Sequence, residues 1–176
     1  MHWSGDLDEL QDVEVTIRDI QFGTGLIAGP PHDTIGKSHA GLSHELDALA
    51  AYLGTIEVLD SPFRGNRAEI NIGKSVFENQ GCPSCHTPPL YTDHKLHDVG
   101  TGDPILERNS HGRGTSFDTP SLIGLWLTAP YFHDGSASTF TRLFTMGTVH
   151  NVFEDLSPDE LESLVAFLKS LPNDPE

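Results

Sequence analysis

The sequence has 176 residues, enough for one well-filled hydrophobic core or two small ones. Its 26 acidic and 10 basic residues give a net charge of −16, which argues against nucleic acid and anionic membranes as partners. No stretch approaches the roughly 18 apolar residues of a membrane span. The first residues lack the basic start and apolar run of a signal peptide, so either a leader has been removed or the chain is a piece of a longer protein.

The first third of the chain is predicted to hold two amphipathic helices. Apolar residues at helical spacing predict one helix over 4–20, with Ser4 or Asp6 as its N-cap. A loop rich in glycine, proline and histidine follows over 28–41, and a second helix is predicted over 43–56.

The middle of the chain contains few periodic segments. Residues 61–67 are predicted to be a linker, because a proline and a glycine interrupt them, and a helix is predicted over 68–79. Residues 87–119 have almost no periodicity. A helix is then predicted to begin with Pro120 at its first position and to run to Leu127.

Two further helices close the chain. A turn over 129–136 precedes a short helix predicted over 139–146. Ser157 and Glu160 form a predicted capping box, with proline between them at the first helical position and a regular apolar stripe that runs to Leu171.

The motif Cys82-Pro83-Ser84-Cys85-His86 has the spacing that attaches a c-type haem. Two thiols three positions apart can form thioether bonds to one porphyrin, and the following histidine can coordinate the iron. A thioredoxin-like pair or a disulfide is one alternative, although it requires a βαβ setting that the surrounding pattern does not predict. A zinc site is another, with His94 and His97 as the nearest additional ligands.

Haem attachment also indicates a compartment. Both cysteines of the chain lie in the motif, so none is left for a structural disulfide. In bacteria, haem c is attached outside the cytoplasmic membrane, and the motif therefore predicts a periplasmic or extracellular protein.

An internal repeat suggests two related halves. Residues 45–53 align without a gap with 160–168, with five identical positions. Only the second half is preceded by a haem motif. We therefore expect 1–60 to be the back half of a preceding cytochrome c-like domain without its own haem motif, and 68–176 to be a cytochrome c domain. A first haem motif is then expected upstream of residue 1.

The chain resembles the dihaem cytochrome c peroxidase family, which includes MauG. The resemblance spans roughly 68–171 and is carried by five segments in the family's order: Gly81-Cys82-Pro83-Ser84-Cys85-His86, Phe117-Asp118-Thr119-Pro120-Ser121-Leu122, Leu127-Thr128-Ala129-Pro130-Tyr131-Phe132-His133-Asp134-Gly135-Ser136, Thr145-Met146-Gly147 and Leu164-Val165-Ala166-Phe167-Leu168. It implies an all-α fold of two cytochrome c-like helical domains with one haem each. The C-terminal haem of that family transfers electrons, and the N-terminal haem reacts with peroxide.

The resemblance also implies roles for individual residues. His86 would be the proximal iron ligand and Met146 the distal one, while backbone oxygens of Thr128 and Pro130 would contribute to a calcium ion between the domains. A thioether ligand raises the reduction potential, which suits an electron carrier. His150, four residues after Met146, is the competing distal ligand.

Two further polar residues are assigned to the surroundings of the haem. Arg113 is the best basic candidate for a haem propionate, because the guanidinium fork matches a carboxylate. His133 is expected to brace its turn or a propionate rather than to bind iron.

These observations predict electron transfer through one covalently attached haem c with a redox partner protein or an upstream haem domain. The alternative is that the chain is the electron-input half of a dihaem peroxidase or MauG-like oxidase whose second haem lies upstream. A zinc-stabilised module of a secreted protein is a third interpretation.

Overall fold

The computed structural model describes residues 3–29, 33–107, 114–152 and 155–172, and it divides the chain into two compact units. The N-terminal unit covers Met1–Glu57 and the C-terminal unit Val58–Glu176. The predicted linker over 61–67 falls within the C-terminal unit. The domain boundaries at 60 and 68, and the half-repeat, stay predictions.

The N-terminal unit begins with an irregular helical segment. It passes from a 3₁₀ turn, Leu10–Asp12, through a short α-helix α1, Val13–Val15, to a π-helical stretch, Thr16–Ile20. The predicted start near Ser4 is wrong, because the Asp12 carboxylate accepts the backbone N–H groups of Asp8 and Glu9, at 2.8 and 2.9 Å. These bonds hold the preceding residues outside the helix.

Helix α2, His44–Leu53, is shorter than the predicted 43–56. The Ser43 hydroxyl caps it by accepting the Leu46 N–H, and Gly54 ends it. Leu46 is completely buried in this unit, together with Leu7 and Ile27. The loop predicted between the two helical segments is free of helix and strand over its described residues, 28–29 and 33–41.

The C-terminal unit is built on two helices that pack closely, α3, Arg67–Asn79, and α5, Pro158–Ser170. Both agree closely with the sequence prediction, including the capping box of Ser157 and Glu160. The short helix α4, Phe140–Thr145, lies between them in sequence, with Thr139 as its N-cap.

Aromatic residues fill the core between these helices. The Phe167 ring is completely buried, with its centroid 5.3 Å from that of Phe77 and 6.1 Å from that of Tyr91. Tyr131 and Phe140 form a second pair at 4.8 Å. This core lies directly behind the haem motif, since Phe77 is near the end of α3 and Tyr91 follows the motif by five residues.

The all-α prediction is incomplete. Two three-residue strands, β1, Leu96–Asp98, and β2, Ser116–Asp118, pair antiparallel within the segment that lacks periodicity. His97 stands opposite Phe117 in this ribbon.

The helix predicted over 120–127 is also wrong, because only a 3₁₀ turn, Leu125–Leu127, forms there. The Thr119 N–H donates to the Lys95 carbonyl oxygen at 3.0 Å, and the Ser121 hydroxyl donates to the Leu90 carbonyl oxygen at 2.6 Å. These contacts with distant residues keep the start of the segment extended.

Candidate functional site

The haem motif forms one tight turn directly after α3. Gly81 adopts a left-handed conformation with φ of 74°, which glycine tolerates without steric cost. The 3₁₀ turn Cys82–Ser84 follows, and the His86 N–H donates to the Cys82 carbonyl oxygen at 2.9 Å. Both cysteines and the histidine are thus held on a single compact turn.

The two cysteines are present as free thiols and are partly buried. Burial is the main reason why the pKa of the Cys82 thiol rises to about 11, with a smaller contribution from the neighbouring Cys85. Cys82 also packs against the apolar core.

His86 is arranged as a metal ligand would be. Its Nδ1 lies 3.0 Å from the Tyr91 carbonyl oxygen, which can only accept, so Nδ1 carries the proton and Nε2 carries the lone pair of the neutral ring. Burial lowers the pKa of His86, although the carbonyl groups of Tyr91 and Pro120 oppose that shift. The ring is therefore favoured in its neutral, ligand-competent form.

Tyr91 anchors this hydrogen bond. Its ring is only 3% exposed and packs edge-on against Phe77 with centroids 5.8 Å apart. A backbone carbonyl next to a fixed ring cannot move away easily, so the orientation of His86 is imposed by the core.

His150 lies close to His86, with its ring centroid 6.3 Å from that of His86 and 5.5 Å from that of Phe132. Its Nδ1 is buried and has no hydrogen-bond partner among the described residues. Burial, followed by the nearby His86, lowers the pKa of His150 to about 4. The structure therefore brings together two neutral imidazoles that are 64 positions apart in sequence.

Met146 caps the C-terminal end of α4, where the backbone turns from helical to extended. The residue is half-buried and packs against the edge of the core. Thr128 and Pro130, the predicted calcium ligands, follow the 3₁₀ turn Leu125–Leu127 and are exposed. Arg113, the predicted propionate partner, lies outside the described residues.

His133 braces its surroundings through three contacts. Its ring stacks on Phe117 with centroids 3.7 Å apart, Nε2 lies 3.1 Å from Glu107, and Nδ1 lies 3.4 Å from the Thr101 hydroxyl. These contacts connect the turn that contains His133 to the β-ribbon.

Sequence reasoning missed the role of Asp93. Ligand atoms of Cys85, Asp93 and His97 lie within 4.8 Å of one another, and Asp93 pairs with His97 Nε2 at 2.9 Å. The spacing of four residues between Asp93 and His97 was the only available signal. Three such donors could hold zinc, but that site would leave out Cys82.

The residues present fit a haem better than zinc. Haem attachment would use both thiols, would give His86 Nε2 an iron to bind, and would provide polar groups that a purely apolar core lacks. Two buried ring nitrogens in the described part of the C-terminal unit, Trp126 Nε1 and His150 Nδ1, have no protein partner. None of the described helices is long and apolar enough to cross a membrane.

Comparison with known proteins agrees with this geometry. The RoxA-like, cytochrome c-like family matches residues 116–154. The chain is 33% identical to the cytochrome c551 peroxidase of Nitrosomonas europaea, over 79% of this chain and 47% of that protein. It is 31% identical to the gamma subunit of hydrazine synthase from Kuenenia stuttgartiensis, over 72% of this chain and 48% of that protein.

MauG of Methylorubrum extorquens is 28% identical, over 77% of this chain and 46% of that protein. The fold matches the crystal structure of a MauG-like protein associated with microbial copper homeostasis, with a TM-score of 0.55 at 20% identity, over 76% of this chain and 55% of that one. The chain spans about half the length of these curated relatives. With a cytochrome c-like domain and haem c as the implied cofactor, the chain belongs to the dihaem cytochrome c peroxidase and MauG family.

Proposed function

We propose that this chain transfers electrons through one haem c, attached to Cys82 and Cys85, with His86 as the proximal ligand. The observation that carries the proposal is the His86 hydrogen bond to the Tyr91 carbonyl oxygen. That bond orients the ring and makes Nε2 the nitrogen that carries the lone pair. Family membership supports haem-based electron transfer or peroxidase-like chemistry in general.

The bound haem would supply an iron that alternates between its ferric and ferrous states. The residues of this chain bind and orient it. Phe77, Tyr91 and Phe167 exclude water behind the motif and make the surroundings apolar. A rigid, apolar ligand environment changes little between redox states, which favours rapid electron transfer.

Whether a protein side chain fills the sixth coordination position of the iron decides between an electron carrier and a peroxidase. Met146, the ligand implied by the family resemblance, and His150, the competing ligand, would each fill it. A filled position denies peroxide direct access to the iron. The isolated chain is therefore proposed to be a carrier and a poor peroxidase.

The second candidate function is the electron-input half of a larger enzyme. It is supported by relatives named as a cytochrome c551 peroxidase and as MauG, since this chain covers less than half of each of these two proteins. The partner would then be an upstream haem domain of the same parent chain, and otherwise a separate redox protein. We also propose that Thr128 and Pro130 coordinate calcium. The proposed location of the protein is periplasmic or extracellular.

A haem determination on the chain produced with haem attachment tests the proposal. We expect one haem c per chain in the pyridine haemochrome assay, reversible reduction, and little peroxidase activity. Replacing both Cys82 and Cys85 with serine should abolish the haem that resists acid extraction. His97→Ala is the matched control, because a zinc site would need His97 whereas haem attachment does not. A haem-free protein that binds zinc through Cys85 and His97 would contradict the proposal.

A further inference from the structure

Two histidine rings, those of His86 and His150, lie close together at the candidate site. Imidazole nitrogens bind metal ions such as Zn²⁺ at about 2 Å, so two imidazoles on opposite sides of one ion have ring centres about 6 Å apart. The centroids of His86 and His150 are 6.3 Å apart, and their planes are inclined by 48°. This spacing suits two rings that share a single metal ion between them.

The backbone around His150 holds it in this place. The His150 N–H donates to the Thr148 hydroxyl at 3.1 Å, and the Thr148 N–H donates to the Met146 carbonyl oxygen at 2.7 Å. The Val149 N–H donates to the Val99 carbonyl oxygen at 3.3 Å, which ties this turn to the segment that follows β1. The ring of His150 is therefore presented by a hydrogen-bonded turn.

The side chain of His150 forms no hydrogen bond with the described residues. Its Nδ1 is buried and unpartnered, and among the described contacts only its backbone forms hydrogen bonds. A buried polar atom without a partner is unfavourable, and the His150 ring packs beside Phe132 with ring centroids 5.5 Å apart. An imidazole with a buried ring nitrogen that lacks a hydrogen-bond partner is well suited to coordinate a metal.

We infer that His150, rather than Met146, supplies the sixth ligand to the iron of a haem held by His86. This inference rests on the proposed function and deepens it. Met146 follows the last residue of α4 and packs against the core, whereas the His150 ring centroid lies 6.3 Å from that of His86. Two nitrogen ligands stabilise ferric iron more than one nitrogen and one thioether do, so the reduction potential should be lower than in a His/Met carrier.

The test is the ligand-dependent spectrum of the haem-loaded full chain. Oxidised His/Met haem has a weak far-red band from sulfur-to-iron charge transfer, and bis-histidine haem lacks it. We expect the wild-type chain to lack this band and to have the electron paramagnetic resonance spectrum of a low-spin bis-imidazole ferric haem. This part requires no variant, so it stands even if a substitution prevents folding.

Three variants sharpen the test. His150→Gly should lose the low-spin spectrum and raise the potential, and added imidazole should restore both. Met146→Leu should leave the wild-type spectrum unchanged. His94→Gly is the matched control, because it removes an exposed histidine whose φ of 52° glycine accepts readily.

The outcomes separate the inference from the proposed function. A far-red band in the wild type that disappears in Met146→Leu and survives in His150→Gly would overturn the inference and leave the carrier function intact. An absence of covalent haem would instead overturn the proposed function. Haem c without the band, with imidazole rescue of His150→Gly, would support both.

Discussion

Asp93 has the most strongly lowered carboxyl pKa among the residues near the haem motif. Burial opposes its ionisation, but hydrogen bonds from His97, Thr119 and the Lys95 N–H outweigh burial and lower the pKa to about 2. The carboxylate thus connects the segment after the motif to the β-ribbon and to the start of the extended segment. Its charged form is part of the folded structure.

We predict that Asp93 makes folding sensitive to acid. Because the folded-state pKa lies below the ordinary value of 3.8, the ionised carboxylate stabilises the fold above that value. This contribution is lost progressively as the pH falls from there towards about 2. Asp93→Asn should lower stability at neutral pH by about 1 kcal/mol and flatten the decline in acid.

Thermal unfolding between neutral pH and pH about 2 measures this effect. Glu78→Gln is the control, since it removes an exposed carboxylate of α3 and should leave the acid unfolding profile unchanged. An Asp93→Asn variant whose acid unfolding follows that of the wild type would refute the assigned role.

Individual residues could be predicted from the sequence when their partners are adjacent in the chain, and not when their partners are distant. Cys82, Cys85 and His86 could be predicted as haem-binding residues because attachment of one haem would require them within five positions. Asp93 was missed because its partners Lys95, His97 and Thr119 meet only after the ribbon has formed. The opposition of His86 and His150 depends on a long chain reversal, so spacing alone left Met146 and His150 as open alternatives.

Among the helices, the contact between α3 and α5 depends on Gly73. A Cβ atom placed on Gly73 would lie 1.9 Å from the Ser163 carbonyl oxygen and 2.8 Å from Phe167 Cβ. The two backbones therefore approach as closely as they do only because this position has no side chain. Val76 and Phe77, one turn further along α3, are buried in the core.

Gly73→Ala should destabilise the C-terminal unit by about 1–3 kcal/mol, since the added methyl group forces the two helix backbones apart. Replacing an exposed helical glycine with alanine would instead stabilise a protein, because alanine is favoured over glycine in a helix by about 1 kcal/mol. Chemical denaturation of the haem-loaded chain measures the change. Ser75→Ala, on the exposed face of α3, is the control and should change stability by less than about 0.5 kcal/mol. A stabilised Gly73→Ala variant would show that α3 and α5 do not pack in this way.

Elements with local signals were predicted well, and those held by distant contacts were not. The capping box of Ser157 and Glu160 and the apolar stripe behind it fixed α5 almost to the residue. Pro120 gave an equally plausible helix start, but hydrogen bonds from Thr119 and Ser121 to residues more than twenty positions earlier keep this segment extended. The β-ribbon has strands of three residues, too short for an alternating pattern.

The whole molecule carries a large negative net charge of −16. An excess of 16 acidic residues produces a negative field, which raises the encounter rate with cations and lowers it with anions. A redox partner with a basic surface would therefore be favoured kinetically. Salt screens such steering, with a Debye length of about 10 Å at 0.1 M ionic strength.

We predict opposite salt dependences for two small electron donors, provided that the chain carries its haem. Reduction by a cationic ruthenium hexaammine should be fast at low ionic strength and should slow as salt is added. Reduction by an anionic iron–cyanide complex should be slower at low salt and should accelerate, because screening removes the repulsion. Stopped-flow absorbance of the haem measures both rates on one sample. A neutral donor is the control and should be insensitive to salt; if all three donors respond alike, the acidic surface lies away from the route by which electrons reach the haem.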